Sequence, residues 1–351
     1  MIKTILYTIC KNEENRIEKW LDCYRDVDVI VVVDTGSEDK SVELLKRDPK
    51  VNVIEKTWDP FNFAAARNFA LEKAREIADR EPDVNWIFLC FDFDEYLEKD
   101  SINILKEEWA QGDYSRAIVK CTMPNGSDAY SHFSRVHAYD KNWVWGNPVH
   151  EGLFWKGENE EDVKDLQSTI TYFHDWEFTP EKAAFYNYLI EIWEEKDPEN
   201  IYLKNFLIDL LLSRGENEKC IKKCKELKEL VDGKFASFDN YLAFFHATYT
   251  LGKLDPKEEL KGLLRLCELA EDRNRTGEYK SRRIYLELAT YYLTKMKPLT
   301  INKKEGVEYL KKAVNMNTNT KYYYPFVDEV NISRQQIQEL IFNLNKSMNE
   351  I

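Results

Sequence analysis

The segment Val27–Val33 reads VDVIVVV and is β-branched at every position but Asp28. A strand with one wet face alternates apolar and polar residues. An unbroken β-branched run instead fits a parallel strand buried on both faces. Trp86–Phe91 (WIFLCF) is a second such run, and Ile5–Cys10 and Val51–Glu55 read as shorter strands. Between them Arg16–Tyr24, Ser41–Lys46 and Phe63–Arg80 carry helical spacing. This β-α-β-α-β-α-β order predicts an open, mostly parallel α/β sheet with helices on its faces. Ala117–Cys121, Phe133–Tyr139 and Thr169–Phe173 read as strands of a more mixed part of the sheet.

After Pro180 the strand patterns stop. Helical segments are expected at 181–196, 201–213, 217–231, 237–251, 257–272, 279–295, 304–315 and 332–347. Breaks such as Asp197-Pro198-Glu199-Asn200, Gly215-Glu216-Asn217 and Asp255-Pro256 separate them. The first helix pairs recur at about 35 residues, which echoes tetratricopeptide spacing. The predicted organisation is an α/β domain over 1–178 and an all-α helical-repeat domain over 179–351. The acidic stretch Glu158–Asp165 reads as a loop between the two textures.

Composition narrows the function classes. With 43% hydrophobic and 13% aromatic residues, the 351-residue chain can bury a core. A net charge of −13 with no sizeable basic patch argues against nucleic acid, and Arg282-Arg283 reads as a solvated helix face. Seven cysteines without a CxxC pair read as reduced thiols of a cytoplasmic protein. The opening MIKTILYTICKNEENR reads as a first strand rather than a signal peptide, and no apolar run has transmembrane length.

Four segments can carry chemistry. Phe91-Asp92-Phe93-Asp94-Glu95 follows a buried strand, and ligands bind at the carboxyl ends of strands in an open parallel sheet. Carboxylates there suit Mg²⁺ or Mn²⁺ bridging to a diphosphate. The plainer alternative is a polar turn with Asp94 as a helix N-cap. In Val31–Ser41 (VVVDTGSEDKS), Asp34 ends a strand and could accept from a base or a ribose hydroxyl. The plainer alternative is a β-to-α turn capped by Ser37 and Asp39. Asn12-Glu13-Glu14 lies just past the first strand. In Asn62–Asn68 (NFAAARN), Arg67 falls one turn into a helix, where it could pair with phosphate oxygens or Asp34, or form a structural salt bridge.

These motifs, in this order, resemble glycosyltransferase family 2, the inverting enzymes of the GT-A fold. The first strand with KNEE, VVVDTGSEDKS, AAARN and FDFDE carry the resemblance, extended by Trp145–Gly152 (WGNPVHEG) and by His174 two residues past a final strand. The layout is similar to the subgroup with tetratricopeptide-like helices behind the catalytic domain, which includes bacterial peptide glycosyltransferases acting on bacteriocin Ser or Cys. One departure stands out: Phe91 and Phe93 replace the Leu and Ala of the usual LDADE.

The resemblance implies roles. Thr8, Asn12, Glu13, Asp34, Arg67, Asp92 and Phe93 would lie by the nucleotide. Asp94, with Asp92 and His174, would ligate Mn²⁺ or Mg²⁺; His150 is the rival imidazole. Glu151 would be the general base, with His150 beside it. The donor would be a nucleoside-diphosphate sugar, read as a UDP-hexose. The acceptor would be a peptide or protein Ser or Cys, or a glycan. Trp145 and Trp155 are candidates for stacking on a sugar, and 123–131 and 158–165 for lids. The helical part is a candidate surface for acceptor docking or homodimer formation, with Tyr322–Tyr324 as its aromatic cluster. A metal-dependent phosphohydrolase or nucleotidyltransferase, and a non-enzymatic helical-repeat scaffold with a degenerate enzyme domain, remain as alternatives. The transferase reading needs the carboxylates at 34, 92 and 94 to converge on one rim.

Overall fold

The computed structural model describes residues 1–122, 128–130, 135–157, 163–175, 177, 179–231, 244, 247–248, 251, 261–262, 264–265, 299–315, 338–339 and 341–343. The chain divides into two compact units, Met1–Ile192 and Trp193–Ile351.

In the first unit β1 (Ile2–Cys10), α1 (Ile17–Cys23), β2 (Val29–Asp34), α2 (Ser41–Leu45), β3 (Val51–Glu55), α3 (Phe63–Ala78) and β4 (Asn85–Leu89) follow in turn. Next come β5 (Glu95–Leu97), α4 (Ser101–Trp109), β6 (Arg116–Thr122), β7 (Asp128–Tyr130), β8 (Val136–Ala138), β9 (Trp143–Gly146), β10 (Gly152–Trp155) and β11 (Asp165–His174). The main sheet runs β3-β2-β1-β4-β8-β6-β11-β5, with β7 beside β6. Strands β3, β2, β1 and β4 are parallel, β8 is antiparallel to β4 and β6, and β6 and β11 are parallel. β9 and β10 form a separate hairpin.

The continuous apolar runs have the expected physical cause: both faces of the sheet are covered. On one face Leu6, Ile30, Val32, Ile87 and Leu89 pack with Trp20 of α1, Leu45 of α2 and Ile102 and Leu105 of α4. On the other, Ile5, Tyr7, Val31, Val33 and Phe88 meet α3 through Ala70, Leu71, Ala74 and Ala78. Alternate residues of one strand therefore serve opposite layers. The alanines, spaced four apart along one face of α3, let the helix sit close to the sheet.

The expected strands and helices of this unit are present over the described residues; of the run read at Phe133–Tyr139, Phe133 and Ser134 lie outside them and Val136–Ala138 form β8. Elements the sequence reading did not anticipate are β5, α4, β7, β9 and β10. The strand read at Trp86–Phe91 ends as β4 at Leu89, although Cys90 N still bonds to Arg135 O at 2.8 Å. His174 is the last residue of β11, not two residues beyond a strand, because pairing of His174 with Glu95 of β5 prolongs the ladder.

Helix α5 (Pro180–Lys196) begins in the first unit and ends in the second. Within the second unit, α6 (Ile201–Ser213) and α7 (Asn217–Leu230) form a helical hairpin. Asn200 caps α6 by accepting from Leu203 N, and Gly215, at φ 71°, ends it with Gly215 N on Leu212 O and Glu216 N on Leu211 O. Leu203, Leu207, Ile208 and Leu211 are buried on α6, as are Cys220, Cys224 and Leu227 on α7. Helix α8 spans Leu299–Asn315, longer than the expected 304–315. The helices expected at 237–251, 257–272, 279–295 and 332–347 lie almost wholly outside the described residues, as do Arg282-Arg283, Tyr322–Tyr324, Cys267 and most of the lid segments at 123–131 and 158–165. Among the described residues no helix is long and apolar enough to cross a membrane.

Candidate active site

Because β2, β1 and β4 are adjacent and parallel, their carboxyl ends share one rim. Asp34 ends β2 and Asp92 follows β4, so the two flank the end of β1 on strands about 9.5 Å apart, two strand spacings. Topology thus brings these acidic residues to one edge. Their side chains are employed differently.

Asp34 is buried and turned into its own loop. Its Oδ2 accepts from Gly36 N and Ser37 N, each at 3.0 Å, and its Oδ1 accepts from Ser37 Oγ. The turn needs Gly36 at φ +107°, where a side chain would be strained and would meet Thr57 Cγ2 at 3.3 Å. The same loop fastens the segment after β1. Asn12 N donates to Ser37 Oγ, Asn12 Oδ1 accepts from Glu38 N, Glu13 N donates to Ser41 Oγ and Glu14 N to Asp39 Oδ2. Asn12 holds φ 56° to make these contacts. The polar residues of both motifs thus first satisfy backbone, as the plainer reading of VVVDTGSEDKS anticipated. Glu13 Oε2 accepts from Arg16 Nη1 at 2.9 Å. Burial raises its carboxyl against the pull of Arg16, and Asp94 raises it further.

The Asp92–Glu95 segment is a tight turn, not a helix cap. Glu95 N donates to Asp92 O at 3.0 Å, and Asp92 N donates to Glu95 Oε2 at 2.8 Å. Two arginines grip it. Arg67 Nη1 and Nη2 donate to Asp92 Oδ1 and Oδ2 at 2.8 and 2.9 Å. Arg135, at the start of β8, donates from Nη2 to Glu95 Oε1 at 2.6 Å and lies 3.7 Å from Asp92 Oδ2. Burial alone would raise the Asp92 carboxyl. Arg67 and then Arg135 overcome it and hold the group below the usual carboxylate range. Burial drives Glu95 the other way, upward, with Arg135 opposing and Asp92 reinforcing. Thr8, on β1, adds a hydroxyl 3.3 Å from Asp92 Oδ1.

Three expectations change here. Arg67 is not paired with Asp34; its side chain is 6% exposed, and it donates to Asp92, to Glu151 and to Cys90 Sγ. Both Asp92 oxygens already accept from Arg67, so a cation at Asp92 would share a carboxylate held in that bidentate pair. Phe93 faces inward, 2% exposed, against Trp20 with ring centroids 4.4 Å apart, so its side chain is core rather than site lining. Trp20 Nε1 in turn bonds to Asp92 O, so the Phe91 and Phe93 departures from LDADE fill the layer beneath the turn.

Among the described residues, Asp94 is the acidic side chain of this turn to which no arginine hydrogen-bonds. Its Oδ2 lies 3.7 Å from His174 Nε2, an ion-pair rather than a hydrogen-bond separation. Burial works against the imidazolium of His174. Interactions with Asp94 and Cys121, and the charge of Glu95, outweigh it and raise the group to about 10.

The other wall is the 147–151 loop between β9 and β10. Asn147 and His150 both sit at positive φ, 66° and 53°, a conformation non-glycine residues hold only with support. Phe63 N donates to Pro148 O at 2.9 Å, and Asn68 brackets Trp145, donating from Nδ2 to its carbonyl and accepting from its amide. The NFAAARN motif therefore has three tasks: Asn62 caps α3 by accepting from Ala65 N, Asn68 anchors β9, and Arg67 points into the site. The loop delivers Glu151, 11% exposed, whose Oε1 accepts from Arg67 Nε at 2.6 Å. Desolvation lowers the His150 imidazole, with Glu151 opposing. His150 stacks on Tyr186 of α5, centroids 5.3 Å apart and planes 11° from parallel.

Sequence reasoning missed Arg135, Glu95, Tyr186 and a buried relay under Arg67. Trp145 Nε1 donates to Tyr7 Oη at 3.2 Å, and Tyr7 Oη is 3.0 Å from His137 Nε2. The guanidinium carbon of Arg67 lies 5.0 Å from the centroid of Trp145. Trp145 is thus buried at 6% exposure as a floor for Arg67, which removes it as an exposed sugar platform. Only Glu95 had a visible signal, its place in the FDFDE run. Asp94, Glu13 and Arg16 fall in one electrostatic neighbourhood with Tyr96, which His174 meets through Asp94. Among the described residues no group of three or more His, Cys, Asp or Glu side chains is arranged to hold a metal by itself.

Residues 6–174 match the family model described as Glycosyl transferase family 2. Among solved structures, S. aureus TarS 1–349 in complex with UDP-GlcNAc is 14% identical, with 93% of this chain and 95% of that chain covered and a TM-score of 0.42. S. aureus TarS 1–349 is 13% identical, with 93% and 94% covered and a TM-score of 0.41. MamA is 14% identical, with 48% and 80% covered and a TM-score of 0.31. A comparison with curated proteins returns no match.

Proposed function

We propose, from the family 2 match over residues 6–174, that the chain is an inverting glycosyltransferase using a nucleoside-diphosphate sugar, read as a UDP-hexose. The observation that carries the site assignment is the pairing of Asp94 and His174, 3.7 Å apart at the strand-end rim, beside carboxylates already committed to arginine. A carboxylate oxygen and an imidazole nitrogen 3.7 Å apart are a donor pair that suits a small divalent cation. Asp94 and His174 would hold that Mn²⁺ or Mg²⁺, which when bound neutralises charge on the departing diphosphate. His174 would first have to give up the proton that Asp94 favours.

The remaining steps belong to the chain itself. Thr8, Asn12, Glu13 and Asp34 shape the rim on which the nucleotide would lie. Arg67 ties Asp92 to Glu151, so the metal-bearing turn and the proposed base keep one geometry, which supports attack in line with the leaving group. Arg67 takes Oε1 of Glu151, and Oε2 is the oxygen we assign to the acceptor proton. A peptide or protein Ser or Cys, or a glycan, is the acceptor class we assign. The helical residues 179–351 are read as tetratricopeptide-like, serving acceptor docking or homodimer contact, in a cytoplasmic protein.

The test is a melting curve of the full chain with UDP and Mn²⁺, followed by incubation with a panel of UDP- and GDP-sugars scored by mass spectrometry. Stabilisation by UDP with Mn²⁺ and release of UDP from a sugar donor are expected. Release of inorganic phosphate or pyrophosphate would replace the reading with a phosphohydrolase or nucleotidyltransferase. Absence of any nucleotide response would leave a scaffold.

A further inference from the structure

Helix α5 begins beyond the matched residues 6–174, yet one of its side chains joins the carboxylate cluster. Leu189 and Ile190 are buried at 0% and 4% exposure, and Tyr186 and Lys182 continue the same stripe toward the helix start at spacings of three and four. Phe185 and Tyr188, off that stripe, are 42% and 54% exposed. The stripe changes character as it approaches the rim, from aliphatic through aromatic to cationic.

Tyr186 stacks in parallel on two rings. Its centroid lies 5.3 Å from Phe63, with planes 7° apart, and 5.3 Å from His150, with planes 11° apart. Phe63 opens α3 one turn before Arg67, and His150 immediately precedes Glu151. The ring therefore joins the two chain segments that supply the Arg67–Glu151 ion pair. One of them contains His150 at positive φ, a backbone state that a surrounding contact must hold. The phenol adds no charge: burial first, and then the charge of Glu151, push it up to about 12.

We propose that Tyr186 is a positioning residue of the site, its ring clamping the 147–151 loop to helix α3 so that Glu151 stays seated beside Arg67. Its consequence for turnover rests on the glycosyltransferase reading; its consequence for the loop does not. The active unit then extends past residue 174 into α5.

The experiment compares full-length wild type, Tyr186→Leu, Tyr186→Phe and the surface control Tyr188→Ala. Hydrogen exchange is read on peptides covering 147–155, and donor turnover is read with the best UDP-sugar of the panel. Tyr186→Leu should exchange faster over 147–155, and Tyr186→Phe and Tyr188→Ala should match wild type. Turnover by Tyr186→Leu should fall at least about tenfold in kcat with donor KM within about twofold, and Tyr186→Phe should restore most of it. Unchanged exchange in Tyr186→Leu, or Tyr186→Phe as impaired as Tyr186→Leu, overturns the proposal. If Leu unfolds the chain, Tyr186→His, which keeps a flat ring, replaces it, and loss of loop protection there overturns the proposal. A wild type that turns over no donor sinks the glycosyltransferase reading, and the exchange result still decides the role of Tyr186.

Discussion

Arg67 meets Asp92 through two parallel hydrogen bonds, 2.8 and 2.9 Å, and spends its remaining Nε–H on Glu151 at 2.6 Å. One buried cation thus neutralises two acidic groups from segments far apart in the chain. Removing it leaves both with little solvent, and breaking a buried pair of this kind costs about 3–5 kcal/mol. Arg67→Ala should therefore lower the urea midpoint of the first unit, equivalent to roughly 6–20 °C in melting temperature for a unit of that size. Arg67→Lys, which cannot satisfy Asp92 bidentately and reach Glu151 as well, should fall between. An Arg67→Ala protein as stable as wild type would mean the network contributes nothing to the fold.

His137 is 1% exposed, with Nε2 facing the Tyr7 hydroxyl and Nδ1 on the Ala138 carbonyl at 2.8 Å. That pattern suits the neutral ring, Nδ1–H donating and Nε2 accepting, and burial lowers the group to about 3. An unfolded chain protonates this residue near pH 6.5, whereas the folded chain resists until about 3. Between those values the unfolded state binds more protons, so stability is complete above pH 6.5 and falls as the pH drops. The slope from this residue is about 1.4 kcal/mol per pH unit. Urea titrations at pH 7 and pH 5 should show it, and His137→Gln should flatten the profile by that one proton. Equal slopes in the two proteins would remove His137 as a cause.

Much of this fold was readable from runs such as VDVIVVV, because two-sided burial erases alternation and leaves a mark that few other environments produce. β9 and β10 left no such mark: they are four residues each, and Gly146 pairs with Gly152 across the hairpin. At the rim, the carboxylates stood out as residue types, but their partners did not. Arg135 lies 40 residues from Glu95, and only the antiparallel return of β8 beside β4 brings them together. Tyr186 was invisible for a related reason, since a tyrosine on an amphipathic helix reads as ordinary packing until the chain folds it onto His150.

The second unit has its own buried charges. Lys204, 1% exposed, contacts Glu194 at 2.5 Å and Glu226 at 3.1 Å, and Lys223 contacts both acids. The two halves of the Lys204–Glu194 pair are not equivalent. Lys204→Met leaves Glu194 with Lys223, bonded at 2.9 and 3.0 Å, whereas Glu194→Gln leaves Lys204, among the described residues, with the more exposed Glu226. Glu194→Gln should therefore be the more destabilising change, by about 1–2 kcal/mol relative to Lys204→Met. Chemical denaturation followed by far-UV circular dichroism orders the two variants, and the reverse order would refute the assignment of partners.

Asp92 and Asp94 sit two residues apart, and the structure gives them opposite prospects. Asp92 compensates Arg67, 6% exposed, and Arg135, 13% exposed, so Asp92→Asn should destabilise the first unit by about 3 kcal/mol even without any ligand. Asp94 lies 3.7 Å from the His174 imidazole with 19% of its side chain exposed, and among the described residues no arginine hydrogen-bonds to it, so Asp94→Asn should destabilise the unit less than Asp92→Asn. Ligand response should reverse the order. Asp94→Asn should abolish stabilisation by UDP with Mn²⁺, and Asp92→Asn, measured below its lowered melting point, should retain part of it. Melting curves of both variants with and without UDP and Mn²⁺ decide the matter. If Asp94→Asn keeps the full shift and Asp92→Asn loses it, the cation binds at the arginine-held carboxylate and the division of labour argued for this turn is wrong.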